Sequence, residues 1–551
     1  MSRVRAAVIA ILVAASSGAV LGQTAPSSFV SSQVCADCHS QLPAPETAVN
    51  AETALAGPNQ DPASIAPFAL WSGSMMAHAA VDPYWRAKVR FEGAENPAAV
   101  AIIENTCLSC HAPGQQYDLG RNGTPMLLDQ LGGIGLEGVT CTSCHQFDPA
   151  NLGTRESFTA GFRINDRQEI YGPHQNPFAR PMQMRAGRTP VYSEHMLESD
   201  LCGTCHTVIT PVLDASGQAT GEFLEQGTYL EWLASGYPES GETCQSCHMP
   251  MLKDADGNLV SQYIAHSPQG GFFGQTSPRT PFAQHSFRGA NVQMLTLLAE
   301  QLPDEAVALR SAADRARSNL SEGMDLEVVA RQSGGVISAE VRVVNLAGHK
   351  LPSGFPSRRL WLHLTVEDAG GVTVFESGAY DPVSGEILGR EHGVVEPHRT
   401  RIDSPEQTMI YEAETSDPSG AHTHSLLRAS GFLKDNRILP AGFEESRIDI
   451  PGTEGLSLAA IGVEGDADFV PGSDTAVYSI PVSGRGPWTV EVEALYQSIK
   501  PENADAFEPV RSVEEDLFLR AFEEHRAPVV VRAASAVVAP RPVPVRSRSR
   551  R

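Results

Sequence analysis

The segment Cys35-Ala-Asp-Cys38-His39 opens a series of five Cys-x-x-Cys-His motifs that decides the organisation of this chain. The other four are Cys107-Leu-Ser-Cys110-His111, Cys141-Thr-Ser-Cys144-His145, Cys202-Gly-Thr-Cys205-His206 and Cys244-Gln-Ser-Cys247-His248. Together the motifs contain all ten cysteines of the 551-residue chain. One chemistry therefore accounts for every thiol.

The spacing inside each motif has a chemical reason. Two thiols separated by two residues can bond to the two vinyl groups of one haem, and the adjacent imidazole then becomes the proximal iron ligand. Paired cysteines also build zinc sites or disulfides, but neither explains a histidine directly after every second cysteine. The motifs therefore predict five covalently attached haem c groups, with His39, His111, His145, His206 and His248 as proximal ligands.

The N-terminus indicates export. Arg3 and Arg5 precede the apolar run Ala6–Ala15, and small residues follow up to Gly22. This pattern predicts a secretory signal peptide over residues 1–22 and a periplasmic or extracellular location. An uncleaved N-terminal anchor is the alternative, although the apolar run is shorter than the roughly 20 residues that span a bilayer. No later stretch approaches that length, so we expect no stable membrane span after signal cleavage.

Length and charge limit the remaining possibilities. A chain of 551 residues exceeds what one compact core normally holds, so several domains are expected. The formal net charge of −24 repels phosphate and argues against nucleic-acid binding.

Residues 23–291 contain all the motifs and are predicted to form a loop-rich, mainly α-helical domain, which we call the haem-motif domain. Asp82-Pro83 and Asn96-Pro97 have the form of helix starts, with a capping side chain followed by proline. Apolar residues recur at helical spacing from Pro303 to Leu320, which predicts that residues 292–322 are helices linking two domains.

After about Leu326 the hydrophobic period changes from 3.6 to 2. Alternating segments at Ile337–Val343, Leu360–Val366 and Trp488–Tyr496, with a turn before Val372–Phe375, predict an all-β sandwich of immunoglobulin-like type over residues 323–500, which we call the β-domain. Residues 501–551 form a C-terminal segment that is predicted to be disordered from about Ala536, because the end of the chain is rich in Pro, Val and Arg.

Five haem irons also need ligands on their second, distal face. His285 lies in a turn that contains glycine, which allows the backbone to approach a flat ring. His349 lies between Gly348 and Pro352, in a loop between two predicted strands. The candidate distal ligands are His195, His285, His349, His78, Met76, His174 and His266.

His349 stands apart because it comes after the linking helices. Glycine before it and proline after it restrict the loop, so its imidazole could be presented to an iron at low entropic cost. We therefore expect the β-domain to complete the haem-motif domain. The alternative is an ordinary surface-loop histidine.

Several segments resemble a known family. The five motifs, Glu225–Trp232 leading to Cys244–Pro250, and His285–Asn291 are similar to multihaem cytochromes with a cytochrome c-552/c-554-type haem domain. Gly348–Arg359 and Lys434–Arg437 resemble the β-sandwich that often follows, and the resemblance covers about residues 30–500.

This resemblance implies electron transfer through closely packed, mostly bis-His haems, with His195, His285 and His349 at distal positions. No Cys-x-x-Cys-Lys motif occurs, so the Lys-ligated haem of the related nitrite reductases has no counterpart here.

Two function classes remain after the sequence analysis. The first is an electron carrier that exchanges electrons with redox partner proteins through six-coordinate haems. The second is an oxidoreductase with one open iron position that acts on a small nitrogen or sulfur compound. Six candidate histidines for five irons favour the carrier. An adhesion module that uses the β-domain is a third idea, for which the sequence offers no specific ligand.

Overall fold

The computed structural model describes residues 27–52, 64–121, 123–165, 167–391, 393–509 and 512–540. The predicted signal peptide and residues 541–551 of the predicted tail lie outside these ranges. Within them, no helix is long and apolar enough to cross a membrane.

Short helices carry the haem motifs. In chain order, the helices of the described ranges are α1 (Ser32–His39), α2 (Pro67–Trp71), α3 (Pro83–Glu95), α4 (Val100–His111), α5 (Pro113–Gly120), α6 (Cys141–His145), α7 (Arg180–Ala186), α8 (Asp200–His206), α9 (Thr228–Leu233), α10 (Tyr237–Ser240), α11 (Cys244–His248), α12 (Val292–Gln301), α13 (Ala306–Glu322), α14 (Pro501–Asp505) and α15 (Val513–Phe522). Helices α1, α4, α6, α8 and α11 each end on a motif histidine. The two cysteines of each motif are therefore three residues apart on a helix and share one face.

The capping contacts confirm one predicted helix start and show that another predicted cap is wrong. The Asp82 carboxylate accepts the backbone N–H groups of Tyr84 and Trp85 at 2.9 and 3.2 Å, so α3 begins where the sequence predicts. Asn96 does not cap the next helix. Its Nδ2 donates to the carbonyl of Glu92 at 3.1 Å, at the C-terminal end of α3, and a 3-10 turn precedes α4.

Most of the strands lie after the linking helices. The strands of the described ranges are β1 (Glu169–Gly172), β2 (Thr189–Tyr192), β3 (Val208–Leu213), β4 (Ala219–Gln226), β5 (Met324–Ser333), β6 (Val336–Asn345), β7 (Arg359–Glu367), β8 (Thr373–Ser377), β9 (Arg401–Ile402), β10 (Ile410–Ser416), β11 (Gly431–Asp435), β12 (Ser473–Pro481), β13 (Trp488–Gln497) and β14 (Val529–Val538). Pairs β1–β2 and β3–β4 are small two-stranded sheets within the haem-motif domain.

Two larger sheets build the β-domain. One has the order β11-β10-β7-β13-β14 with β8 paired to β7, and the other has the order β5-β6-β12-β9. Alternate residues of both sheets, among them Val341 and Val490, share one buried cluster with Leu309 and Ala313 of α13. The linking helices therefore pack on the sheets. The predicted sheet-rich region is confirmed, and its immunoglobulin-like type stays a prediction.

The C-terminal boundary of the β-domain differs from the prediction. Strand β14 pairs antiparallel with β13, from Trp488 opposite Val538 to Tyr496 opposite Val529. The β-domain therefore extends beyond residue 500, and order continues past Ala536. The physical reason is that β14 covers the edge of β13 and buries Val531 and Val538, which the Pro- and Arg-rich composition of the tail concealed.

The segment between β13 and β14 packs back onto the haem-motif domain. Phe507 and the α15 residue Phe518 join Tyr84 and Phe91 of α3 in one buried cluster, together with Met294 of α12. This contact ties the C-terminal segment to the helix that leads toward the second motif.

Candidate haem-binding site

All five motifs face one internal space. A connected cavity of about 1270 Å³ is lined by all ten motif cysteines and by all five motif histidines, and most of its other lining residues are apolar. None of the cysteines forms a disulfide. This arrangement fits flat, largely apolar groups that are attached through the thiols.

Main-chain carbonyl groups fix the orientation of most of these imidazoles. The Nδ1 atoms and their carbonyl partners are His39 with Ile264 (2.7 Å), His111 with Ala79 (2.8 Å), His145 with Tyr171 (2.6 Å), and His248 with Arg288. When Nδ1–H donates to a carbonyl, the lone pair is on Nε2, and second-shell bonds of this kind commonly orient metal-binding histidines. The four rings are therefore prepared to bind a metal through Nε2.

Burial also keeps these histidines neutral. Removal from water lowers the pKa of all five motif histidines, to about 4 for His111 and His248. Metal binding requires the neutral imidazole. The protonation state of these histidines and the orientation of their rings are thus both suited to metal binding.

Two of the predicted distal residues lie opposite motif histidines. The ring centres of His145 and His285 are 6.2 Å apart with their planes at 11°, and those of His248 and His349 are 6.2 Å apart at 17°. Metal–imidazole bonds of about 2.0–2.1 Å, added to about 1.1 Å from nitrogen to ring centre, place two imidazoles on opposite sides of one metal at about 6.2–6.4 Å. Both pairs therefore match the separation that an iron between them requires.

The two distal rings share the features of the motif histidines. Nδ1 of His285 lies 3.0 Å from the carbonyl oxygen of Ala283, and Nδ1 of His349 lies 3.0 Å from that of Lys350. Burial lowers both pKa values, to about 3 for His285. Each ring therefore offers a neutral Nε2.

His174 and Met76 also line the cavity. His174 follows β1, and its pKa is lowered by burial and then by the nearby Arg279. The carbonyl group of Met76 accepts the N–H of Val139 at 2.9 Å, which places this residue next to the third motif. Both remain candidates, since a neutral imidazole or a thioether can bind haem iron.

The structure disfavours His78 as a ligand. Its Nδ1 lies 2.8 Å from the carbonyl oxygen of Ser74, and its Nε2 lies 2.9 Å from Oε2 of Glu305. Both ring nitrogens are thus engaged, and His78 is not among the residues that line the cavity. Because Glu305 is far from His78 in the sequence, no local sequence pattern could predict this contact.

His195 and His266 likewise lie outside the lining. Nδ1 of His195 is 2.6 Å from the hydroxyl of Ser193, and its buried Nε2 has no hydrogen-bond partner among the described residues. The two ring nitrogens of His266 lie 3.1 Å from the carbonyl of Ser267 and 3.4 Å from the hydroxyl of Ser40. The backbone of Phe147 lies near enough to the His195 ring to raise its pKa against the larger, lowering effect of burial.

Sulfur atoms of different motifs lie close together. Contact with Cys141 is the largest cause that raises the pKa of Cys35, and contact with Cys244 does the same for Cys202. A third contact joins Cys205 to Cys110. These contacts place the first motif beside the third, and the fourth motif beside both the second and the fifth.

Several polar side chains outside the five motifs also face the cavity. Lys88 and Glu92 form an ion pair of 3.0 Å on α3, and Glu225 stands at the end of β4. Trp85 stacks on His111 with ring centres 4.3 Å apart. The helical spacing of α3 could have placed Trp85, Lys88 and Glu92 on one face, but nothing in the sequence assigned that face to the cavity.

A second cluster of titratable groups, in the β-domain, is a hydrogen-bonded relay. His398, Asp466 and Asp474 bring their potential ligand atoms within 4.8 Å of one another. The amide of Asn436 accepts the N–H of Glu412 and donates to Nδ1 of His398 at 3.0 Å, so Nε2 carries the proton and donates to Asp466 at 2.9 Å. This tautomer leaves no imidazole lone pair for a metal.

Comparisons with known proteins agree with this site. Residues 66–146, which include the second and third motifs, match the family model described as cytochrome c554 and c-prime. Among solved structures, the chain is similar to a penta-haem cytochrome c552 from Thermochromatium tepidum, with 18% identity and a TM-score of 0.52. That match covers 93% of this chain and 99% of the other, and at this identity it concerns the fold. No curated protein sequence matches significantly.

Proposed function

We propose that this multihaem c-type cytochrome, with its c552/c554-like domain, holds five covalently attached haems and transfers electrons between redox partner proteins. The observation that carries the proposal is the single cavity onto which every motif cysteine and every motif histidine opens. When bound, haem supplies a one-electron couple whose potential depends on axial ligands and burial.

Two of the haems are bis-His in this proposal. The 6.2 Å separations support His285 as the distal ligand opposite His145, and His349 opposite His248. The irons at His39, His111 and His206 would take their distal ligands from His174, Met76 and His195. Arginine side chains that line the cavity suit the carboxylate groups at the haem edge, and they include Arg185, Arg188, Arg279, Arg288 and Arg358.

The thiol contacts suggest the order of electron transfer. The contact of Cys35 with Cys141 would join the first haem to the third, and that of Cys202 with Cys244 would join the fourth to the fifth. The charge of Cys144 raises the pKa of both Cys202 and Cys205, so the third motif lies near the fourth. The contact with Cys110 adds the second haem as a branch on the fourth.

Export belongs to the same proposal. Covalent haem attachment takes place outside the cytoplasm, which fits the signal peptide predicted for residues 1–22. We accordingly place the mature protein in the periplasm or outside the cell.

An oxidoreductase with one open iron position is the second candidate. One observation favours it: among the described residues, only two of the five motif histidines face a second histidine ring at the separation of a shared iron. A substantial high-spin signal in the low-temperature EPR spectrum of the oxidised protein would support this candidate, as would rapid stoichiometric cyanide binding.

Intact mass under denaturing conditions tests the main proposal. Covalent attachment survives denaturation, so the mass should exceed that of the processed chain by five haem masses. A zinc-containing protein, or a chain without added mass, would contradict it.

A further inference from the structure

One carboxylate of the haem-motif domain anchors the loop that carries His349. Glu231 lies on α9 and is 1% exposed. Its Oε2 accepts the backbone N–H of Lys350 at 3.1 Å and the hydroxyl of Ser353 at 3.3 Å. The carboxylate thus binds the residue directly after His349, across the boundary between the two domains.

The other carboxylate oxygen joins a buried ion cluster of the β-domain. Oε1 lies 3.3 Å from Arg437, which donates two hydrogen bonds of 2.7 Å to Asp435. The ammonium of Lys350 donates to the same Asp435 carboxylate at 2.6 Å. Two cations and two anions balance in a site where every group is buried, so the loss of one leaves a charge without its partner.

The His349 ring and Glu231 both bind the backbone of the same residue, Lys350. Nδ1 of His349 meets the carbonyl of Lys350, and the N–H of Lys350 is bound by Glu231. Space around the loop is tight as well, since a Cβ atom at position 348 would come within 3.2 Å of Trp232. The ring is therefore fixed from the haem-motif domain.

We infer that Glu231 is the positioning residue that holds His349 opposite His248 and so keeps that haem iron six-coordinate. The inference rests on the proposed function, because it needs His349 to be the distal ligand.

Some of the support for the loop comes from inside the β-domain. Asn345 donates to the carbonyl of His349 at 2.8 Å. Loss of Glu231 should therefore loosen the loop without unfolding the sheet that carries it. The expected consequence is an iron that releases His349 and accepts an external ligand.

The test uses the full-length holoprotein and carbon monoxide. In the reduced Glu231→Ala protein, we expect one haem in five to bind carbon monoxide in addition to any that bind it in the reduced wild type. In the oxidised variant, the low-spin EPR signal of that haem should decrease. Glu231→Gln keeps an acceptor for the N–H of Lys350 but places a neutral amide beside Arg437. We therefore expect a smaller increase in carbon monoxide binding than for Glu231→Ala. If the Glu231→Ala protein cannot be produced with its haems attached, the Glu231→Gln protein is used for the same measurements.

Two further variants separate the possible outcomes. Glu412→Gln breaks a buried ion pair with Lys434 (3.1 Å) in the β-domain without touching the loop, and should leave carbon monoxide binding unchanged. His349→Ala should open the same iron directly. If His349→Ala opens an iron while both Glu231 variants match the wild type, the inference is overturned and the proposed ligand stands. If His349→Ala changes nothing, the proposed ligation itself fails.

Discussion

A half-buried carboxyl group beside the second motif is expected to couple electron transfer to proton uptake. Glu225 lines the cavity, where burial and then the nearby Glu92 raise its pKa to about 7 while Lys88 opposes the rise. Burial is the largest cause that raises the pKa of Cys107, and the charge of Glu225 is the second largest. Glu225 therefore lies near the point where the second haem would attach.

The sign of the coupling follows from charge. Reduction removes one positive charge from the haem, so the reduced state favours a protonated Glu225. The midpoint potential of the Cys107 haem should accordingly rise as pH falls through about 7, by at most about 59 mV per pH unit for one proton per electron.

The same shift has a consequence for stability. A pKa raised from 4.5 to about 7 corresponds to about 3 kcal/mol against the folded state well above pH 7, and to nothing below about pH 4.5. Because the folded-state pKa of this acid is the higher one, stability should fall as pH rises through this window.

A spectroelectrochemical titration between pH 5 and 9 measures the coupling. Glu225→Gln should flatten the pH dependence of one haem. The control is Glu242→Gln, which removes an exposed carboxylate that also borders the cavity and should leave the slope unchanged. A Glu225→Gln protein with the wild-type slope at every haem would refute the reasoning.

Three other changes have defined outcomes. His285→Met should raise the midpoint potential of the haem at the third motif, within the roughly 0.8 V that axial ligands span, and spectroelectrochemistry would show it. Asp435→Asn leaves Lys350 buried without its carboxylate partner and should cost about 3–5 kcal/mol, measured as a lower guanidinium midpoint at unchanged slope. Deletion of residues 529–540 removes two buried valines worth about 1.5–3 kcal/mol each and exposes the edge of β13, so thermal unfolding should shift down and aggregation should increase.

The sequence predicts best what is local. A Cys-x-x-Cys-His motif holds two attachment points and one ligand within five residues, so its chemistry could be inferred without knowledge of the fold. The start of α3 at Asp82 was equally predictable, because the cap and the groups it binds are adjacent. Strict alternation located β6, β7 and β13 for the same reason.

Features that depend on distant partners could not be predicted. The contact of His78 with Glu305 joins two segments far apart in the sequence, and Asn96 prefers a carbonyl of the preceding helix. The carbonyl groups that orient the motif histidines have no side-chain signature at all. Strand β14 was missed because its pairing with β13, rather than its composition, makes it a strand.

An iron-edge anomalous diffraction map of the crystallised holoprotein tests the central claim most directly. The account requires five iron peaks in the cavity, with one bound to Nε2 of both His145 and His285 and another to Nε2 of both His248 and His349. Fewer than five peaks would contradict it, and so would irons at these two sites whose distal ligands are other residues.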